Sequence, residues 1–444
     1  MSTLRTRASA LVAGLAVASL AACSGGAGSE AAPTQNSDGS TNLSMWTFAD
    51  VHAAYYEEMA DQWNDANPDR EIRLDVTVYP YEDMHNKLQL AVNSGEGLPD
   101  VVDIEVNKFA SFVKGSNPPL QDLTEAAATY TDEVVQARLD LYSKDGKIYG
   151  FPTHVGAFVA FYNTELLDGA GIDYTTIETW DDFREAGAEY NAATGEAFGV
   201  ASTGVNFVEP LITAQLGGEF FDGEGNLQIN SPEVVEALSM EQQMQQDGAI
   251  STIPGGSPDT EEAYGAINDG DYAAIVYPAW YTSRFVDYMP DLEGKIAIAP
   301  APVVEGGDTQ TIGGGGTGAS VPVASPNREL AAEWLAFAKL SPEANTAVWE
   351  VLGFDPVNMA VWEDESVTKN PDNKFNQYFQ TNLYDVLNEV KGSIGHLESF
   401  TDPNWPSVDN TFRTVTLNEI FENGVPAQDA LDQTQSDLQN ELGQ

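Results

Sequence analysis

Between residues 43 and 112 the chain alternates short apolar strand patterns with amphipathic helix patterns, and this alternation constrains the fold more than any other feature. Residues 43–48 read as a strand. Asp50 reads as a helix cap, with Val51, Tyr55, Met59 and Trp63 following at helical spacing until Pro68 closes the run. Ile72, Leu74, Val76 and Val78 alternate with charged or polar residues, a second strand that runs into Tyr79-Pro80-Tyr81. Another helix carries Met84, Leu88 and Val92 on one face and ends near Gly95. Pro99-Asp100-Val101-Val102-Asp103-Ile104 is a compact apolar third strand, followed by a helical run through Phe109 and Phe112. A β-α-β-α-β order of this kind predicts parallel strands in a sheet covered on both faces.

The pattern resumes with a strand over 155–162 and a helix opened by Thr179-Trp180-Asp181-Asp182, where Thr179 and Asp182 fit a capping box. Ser231-Pro232 opens another helix, 272–277 and 295–299 read as strands, and Ser325-Pro326-Asn327 precedes a long helix through Trp334 and Phe337. Ser341-Pro342 starts the next. The C-terminal third is helical, with runs over 411–423 and 426–442 and few strand signals, and no repeat of fixed period is present.

Ahead of the first strand, Arg5 and Arg7 precede an apolar run over 8–20 and then Leu20-Ala21-Ala22-Cys23. That run is too short to span a bilayer stably and has the form of a signal peptide. Small residues before the chain's one cysteine fit a bacterial lipobox, which predicts a signal peptide over 1–22, lipidation of Cys23 and a flexible linker over 23–42. The alternative is an ordinary secretory leader cut beside an unmodified cysteine. One cysteine forms no internal disulfide. With 69 acidic against 19 basic residues, the formal net charge of −50 repels nucleic acid and anionic lipid. Most of this acid reads as solubility, and membrane attachment must come from the lipid.

The run Gly313-Gly314-Gly315-Gly316-Thr317-Gly318 satisfies G-x-G-x-x-G literally, yet Ala319-Ser320-Val321-Pro322-Val323 after it reads as a strand. A dinucleotide site needs a helix there, so the glycines read as a surface loop or a close approach of backbone to ligand. His52, His85, His154 and His396 lack metal spacing, no Gly-x-Ser-x-Gly elbow occurs, and neither metal nor cofactor is expected. With so many acids, chance pairs at glycosidase distance carry no information. Trp46, Tyr79, Tyr81, Trp280, Tyr281, Phe354 and Trp405 sit beside prolines, glycines or short polar residues, where chains turn. Each suits ordinary packing; together they suit a cleft in which rings stack on the C–H faces of sugars.

Several segments, in order along essentially the whole chain, are similar to one family. They are the lipobox, Leu98-Pro99-Asp100-Val101-Val102, Gly146-Lys147-Ile148-Tyr149-Gly150-Phe151-Pro152, and Phe161-Tyr162-Asn163-Thr164-Glu165-Leu166-Leu167. Thr179-Trp180-Asp181-Asp182-Phe183, residues 272–280 and the stretch from Ser325 to Leu335 continue the match. The chain thus resembles the family 1 extracellular solute-binding proteins of carbohydrate ABC importers, which include maltodextrin-binding proteins. The stretch from Tyr79 to Phe112 looks like an arabino-oligosaccharide branch, with lactose-type binders nearby.

That resemblance implies an α/β, two-lobed, periplasmic-binding-protein-like fold of type II, with parallel-sheet lobes joined by a hinge. Lobe 1 is expected over 43–153 and 300–342 and lobe 2 over 154–299 and 343–444, with crossings near 155–162, near 295–300 and after Leu340. It further implies a monomer at the extracellular face of the cytoplasmic membrane. That monomer binds an oligosaccharide by hinge closure, hands it to the permease subunits of an ABC transporter and catalyses nothing. Carried onto this sequence, the first strand's end supplies Trp46, Asp50 and His52 and the third strand's end Glu105 and Lys108, while Tyr81 is a candidate as an aromatic where the chain turns. His154 precedes the first crossing, and Asn206 and Phe207 fall where the second lobe commonly offers a side chain. Phe354 and Trp405 are candidates only as aromatics at chain turns. Trp280 and Tyr281 supply the stacking aromatic, and Gly314 and Gly315 line the hinge side. For Asp50 a plain helix cap and for Glu105 a solvated helix start remain equal readings. The rival classes are a secreted, lipid-anchored glycoside hydrolase or lyase, and an adhesin or signalling receptor.

Overall fold

The computed structural model describes residues 35–443; the leader and Cys23 lie outside them. The chain lays down β1 (Thr41–Thr47), α1 (Asp50–Ala66), β2 (Ile72–Val78), α2 (Tyr81–Ser94), β3 (Val101–Glu105) and α3 (Val106–Phe112). It continues through β4 (Phe151–Pro152) into β5 (Phe158–Asn163), α4 (Trp180–Thr194), α5 (Pro232–Gln246), β6 (Ala274–Pro278) and β7 (Ile296–Pro300). It returns as β8 (Thr317–Ser320), α6 (Arg328–Leu340) and, after several short helices, α7 (Trp405–Thr411) and α8 (Ala427–Leu442).

Two lobes form around two sheets. The first has the order β2-β1-β3-β8-β4. Its β1 runs parallel to β2 from Thr41 opposite Ile72 to Thr47 opposite Val78, and parallel to β3. The returning β8 is antiparallel to β3, with Thr317 opposite Glu105. The second sheet, β6-β5-β7, departs from the parallel pattern: β5 is antiparallel to both neighbours, with Phe158 opposite Pro278 and Val159 opposite Pro300. The cause is the crossing itself. β5 runs outward from the first lobe while β6 and β7 run back towards it. All six residues of β5 are buried, as a central strand covered on both faces requires.

The capping box at α4 forms as the sequence indicates, with the Thr179 hydroxyl accepting from Asp182 N–H at 3.1 Å and the Asp182 carboxylate accepting from Thr179 N–H at 2.9 Å. Ser231 and Ser341 cap their helices, and Gly95 takes the left-handed conformation at the end of α2. Asp50 is no cap. Ala49 holds that position in extended backbone, and Asp50 is the exposed first helical residue.

The expected linker is also shorter than 23–42 at its described end, because β1 begins at Thr41. Residues 36–40 form a turn in which Asp38 accepts from the backbone and hydroxyl of Ser40 at 3.1 and 2.7 Å. The helical run expected over 411–423 starts earlier, at Trp405, and changes pitch over Phe412–Thr416.

The expected passage to lobe 2 at residue 343 falls too early. Helix Pro342–Ala347 and the turn Val348–Leu352 pack with α1, where the Tyr55 hydroxyl donates to Ala338 O at 2.5 Å and lies 3.3 Å from the carbonyl of Ala344. Only beyond them does the chain join the second lobe, where Leu383–Val390 packs on β7 and α8 on α5.

Candidate functional site

In both sheets one set of strand ends converges. The C-terminal ends of β1 and β3 lie with the N-terminal end of β8, and those of β6 and β7 lie with the N-terminal end of β5. Ligands of open α/β sheets bind beyond such ends.

Three chain segments meet between the two sets. The Asp355 carboxylate accepts from the N–H groups of Gly156 and Ala157 at 3.0 and 2.8 Å, its own carbonyl accepts from Val155, and Gly314 N–H donates to Gly156 O at 2.9 Å. Bridges join Ala157 to Gly313 and His154 to Pro356. Glycine is required here for space as well as for φ. Gly156 has φ +69°, and a Cβ on it would lie 2.5 Å from the Gly314 carbonyl oxygen. Burial pushes Asp355 up to about 7.

On the first-lobe side, Phe48 is the hub of a ring cluster, 5.7 Å from His52, 5.2 Å from Tyr81 and 5.4 Å from His85. Glu105 Oε2 accepts from the Tyr81 hydroxyl at 3.0 Å and from Asn107 N–H at 2.8 Å, so it caps α3 while buried. His85 supports it from behind, accepting from Glu105 N–H at 3.1 Å through Nε2 and donating from Nδ1 to Tyr81 O at 2.7 Å. Lys108 lies 3.5 Å from Glu82 and over the Tyr81 ring. Burial, then the charge of Asp409, pushes Glu105 up to about 7; burial pushes Asp409 up to about 6 against the pull of Arg413 and Lys108.

At the crossing, Phe354 packs between His52 at 6.3 Å and His154 at 4.9 Å. His154 is 4% exposed and neither ring nitrogen has a hydrogen-bond partner. Burial, with Arg138 nearby, holds its pKa well below the ordinary histidine value. Arg138 is buried too, donating from Nη2 to Gly315 O at 2.6 Å. On the second-lobe side, Trp280 donates its ring N–H to Gly314 O at 3.0 Å, with the Arg284 guanidinium 5.3 Å from its ring centre and Phe207 6.4 Å away. A Cβ on Gly315 would touch both Phe207 and Trp280. Asn206 beside Phe207 is 4% exposed, and its amide oxygen and nitrogen are both unpartnered.

Three groups of predicted residues therefore come together: Tyr81, Glu105 and Lys108; His52, His154 and Phe354; and Asn206, Phe207, Trp280, Gly314 and Gly315. Others stand apart. Trp46 packs on the α2 side of its sheet against Tyr79 and under Lys87. Tyr281 is in the core, donating to Pro258 O at 2.7 Å. Trp405 packs on Phe220 and Phe400, and its ring N–H donates to Asn107 of α3 at 2.9 Å, tying the C-terminal helices to the first lobe.

Residues that sequence reasoning missed are Phe48, Asp103, Arg138, Asp355 and Asp409. Only Asp103 carried a signal, as a charge inside an apolar strand that needs partners when buried. Among the described residues no group of three or more His, Cys, Asp or Glu side chains is arranged to hold a metal ion. A groove of about 440 Å³ lined by Tyr174, Glu178, Pro300, Gln310 and Glu389, among others, contains no residue of the first sheet and none of these groups.

Ring faces beside buried, unpartnered polar atoms suit a ligand with apolar faces and many hydroxyls. Comparison with known proteins agrees. The chain is 42% identical to the arabinooligosaccharide-binding protein of Bacillus subtilis (strain 168), over 83% of this chain and 85% of the relative. It is 41% identical to the arabinooligosaccharide-binding protein of Halalkalibacterium halodurans, over 86% and 85%. The ABC transporter associated binding protein of B. animalis subsp. lactis Bl-04, solved with beta-1,6-galactobiose, superposes with a TM-score of 0.73 at 21% identity, covering 90% of this chain and 97% of that one. At that identity the likeness shows the fold. Residues 49–345 match the family model described as bacterial extracellular solute-binding protein, and the chain belongs to that family.

Proposed function

We propose that this protein captures an oligosaccharide of the arabino-oligosaccharide class in the cleft between its lobes and passes it, chemically unchanged, to the permease of an ABC importer. The sugar rests on Trp280 and Phe207 on one side and the Phe48 cluster on the other. Asn206, His154, His52 and Glu105 exchange hydrogen bonds with its hydroxyls. Lobe 1 holds residues 43–153 and the returns over 317–352 and 357–363, the latter bonded through Val357 O to Val135 N–H. Lobe 2 holds 154–312, where Val303 O accepts from Trp180 N–H, and the chain from Lys374 onward. The lobes close about the Asp355 crossing by a population shift that ligand contacts drive. Cys23 carries the lipid that keeps a monomer at the outer face of the cytoplasmic membrane.

The observation that carries this reading is that His154 and Asn206 are each 4% exposed and yet leave every side-chain polar atom unpartnered beside aromatic faces. Buried polar groups otherwise find partners. The names of two relatives above 40% identity supply the sugar class.

Thermal denaturation with arabinotriose, lactose and maltotriose tests it. Arabinotriose at roughly a hundred times Kd is expected to raise Tm by a few degrees and to be recovered intact by chromatography. No stabilisation by any of the three, or shortened sugar in the chromatogram, refutes the reading.

A further inference from the structure

The three histidines around the cleft are held differently, and for His52 the difference lies in one buried acid. His52 Nδ1 sits 3.0 Å from Asp103 Oδ2, while Asp103 Oδ1 accepts from the Tyr56 hydroxyl at 3.0 Å and the Thr47 hydroxyl lies 3.3 Å from Oδ2. Asp103 is 0% exposed. Burial alone would push its carboxyl up, but the Lys339 ammonium and the bond from His52 hold it below the usual carboxylate range. Lys339 is itself buried, donating to Thr153 Oγ1 at 2.6 Å.

A carboxylate so surrounded is an acceptor only, and the imidazole nitrogen facing it must therefore carry a hydrogen. In the neutral ring that leaves Nε2 with its lone pair. Phe48 and Phe354 flank the ring on the cleft wall.

We propose that Asp103 is a positioning residue for ligand recognition: it fixes His52 in the Nδ1–H form, so that Nε2 stands in the cleft as an acceptor for one donating sugar hydroxyl. This rests on the reading of the cleft as an oligosaccharide site. Asp103 touches no ligand and acts through the ring. The strand supplies the reason for an acid here, since Asp103 follows Val102 and so points to the α1 face, where His52 and Tyr56 lie four residues apart on one side of α1.

Long-range proton–nitrogen spectra of the wild-type protein at mildly alkaline pH read the tautomer directly, with the four histidines distinguished by a His52→Gln variant. The expected result is an Nδ1–H ring whose Nε2 resonance moves when arabinotriose is added. An Nε2–H ring, or an Nε2 resonance that stays put in protein saturated with arabinotriose, overturns the inference and leaves the functional reading standing. If no saccharide binds, the functional reading fails and this inference with it.

Calorimetry supplies the second arm. Asp103→Asn is expected to weaken arabinotriose binding about tenfold in the wild-type background and hardly at all in the His52→Gln background, the non-additivity of two residues acting as one. Equal losses in both backgrounds assign Asp103 a purely structural role and overturn the inference.

Discussion

Asn206 makes the sharpest case at the scale of single residues. Its amide is buried without a side-chain hydrogen bond, so the free fold draws no polar stabilisation from it. Asn206→Ala is expected to leave Tm of the free protein unchanged or higher and to weaken sugar binding about tenfold, as measured by calorimetry. An unaltered affinity removes Asn206 from the site. Individual residues were the least legible part of this molecule. Asp103 reads as part of an apolar strand, and its partners Tyr56 and Lys339 are distant in sequence, so only the fold joins them. Tyr281 and Trp405 have the same local setting of turns and small residues as Trp280. What separates them is how deeply each ring is packed, a property of tertiary neighbours rather than of flanking residues.

Elements were far more legible, because periodicity and capping are local physics. The first six fell where alternation and helical spacing put them, with ends displaced by one or two residues. Thr179 with Asp182 formed the capping box its spacing required. The antiparallel β5 was not legible, since strand direction in a second lobe is set by where the chain crosses and carries no mark in the strand's own residues. The crossing itself yields a prediction. Gly156→Ala places a methyl group against the Gly314 carbonyl at a positive φ, so the variant is expected to lose more than about 1 kcal/mol of stability in denaturant unfolding. Gly169→Ala, in a helix where an added Cβ meets nothing within 4 Å, is the control expected to lose nothing.

For the whole molecule the buried acids decide how stability depends on pH. Burial raises Glu209 to about 8; burial and the charge of Glu209 raise Glu241 well above its ordinary value, and Glu105 and Asp355 reach about 7. A carboxyl that holds its proton more tightly when folded adds stability that is complete below its unfolded pKa and is lost as pH rises through the folded value. His154, with its lowered pKa, pulls the other way only as pH falls below the ordinary histidine range. Lys339, whose pKa burial lowers to about 8, opposes the acids as pH rises above that value, so the acids act alone only between roughly pH 7 and 8. Tm is expected to fall across that interval in scanning calorimetry, and Glu209→Gln with Glu241→Gln to flatten the decline. A Tm that climbs through the interval contradicts this.

The bond from the Trp405 ring to Asn107 joins positions almost three hundred residues apart and fastens the last helices beside the cap of α3. The C-terminal helices are thereby tied to the strand-end wall of the first lobe. Loosening the helix that carries Trp405 is therefore expected to slacken the wall that carries Glu105 as well.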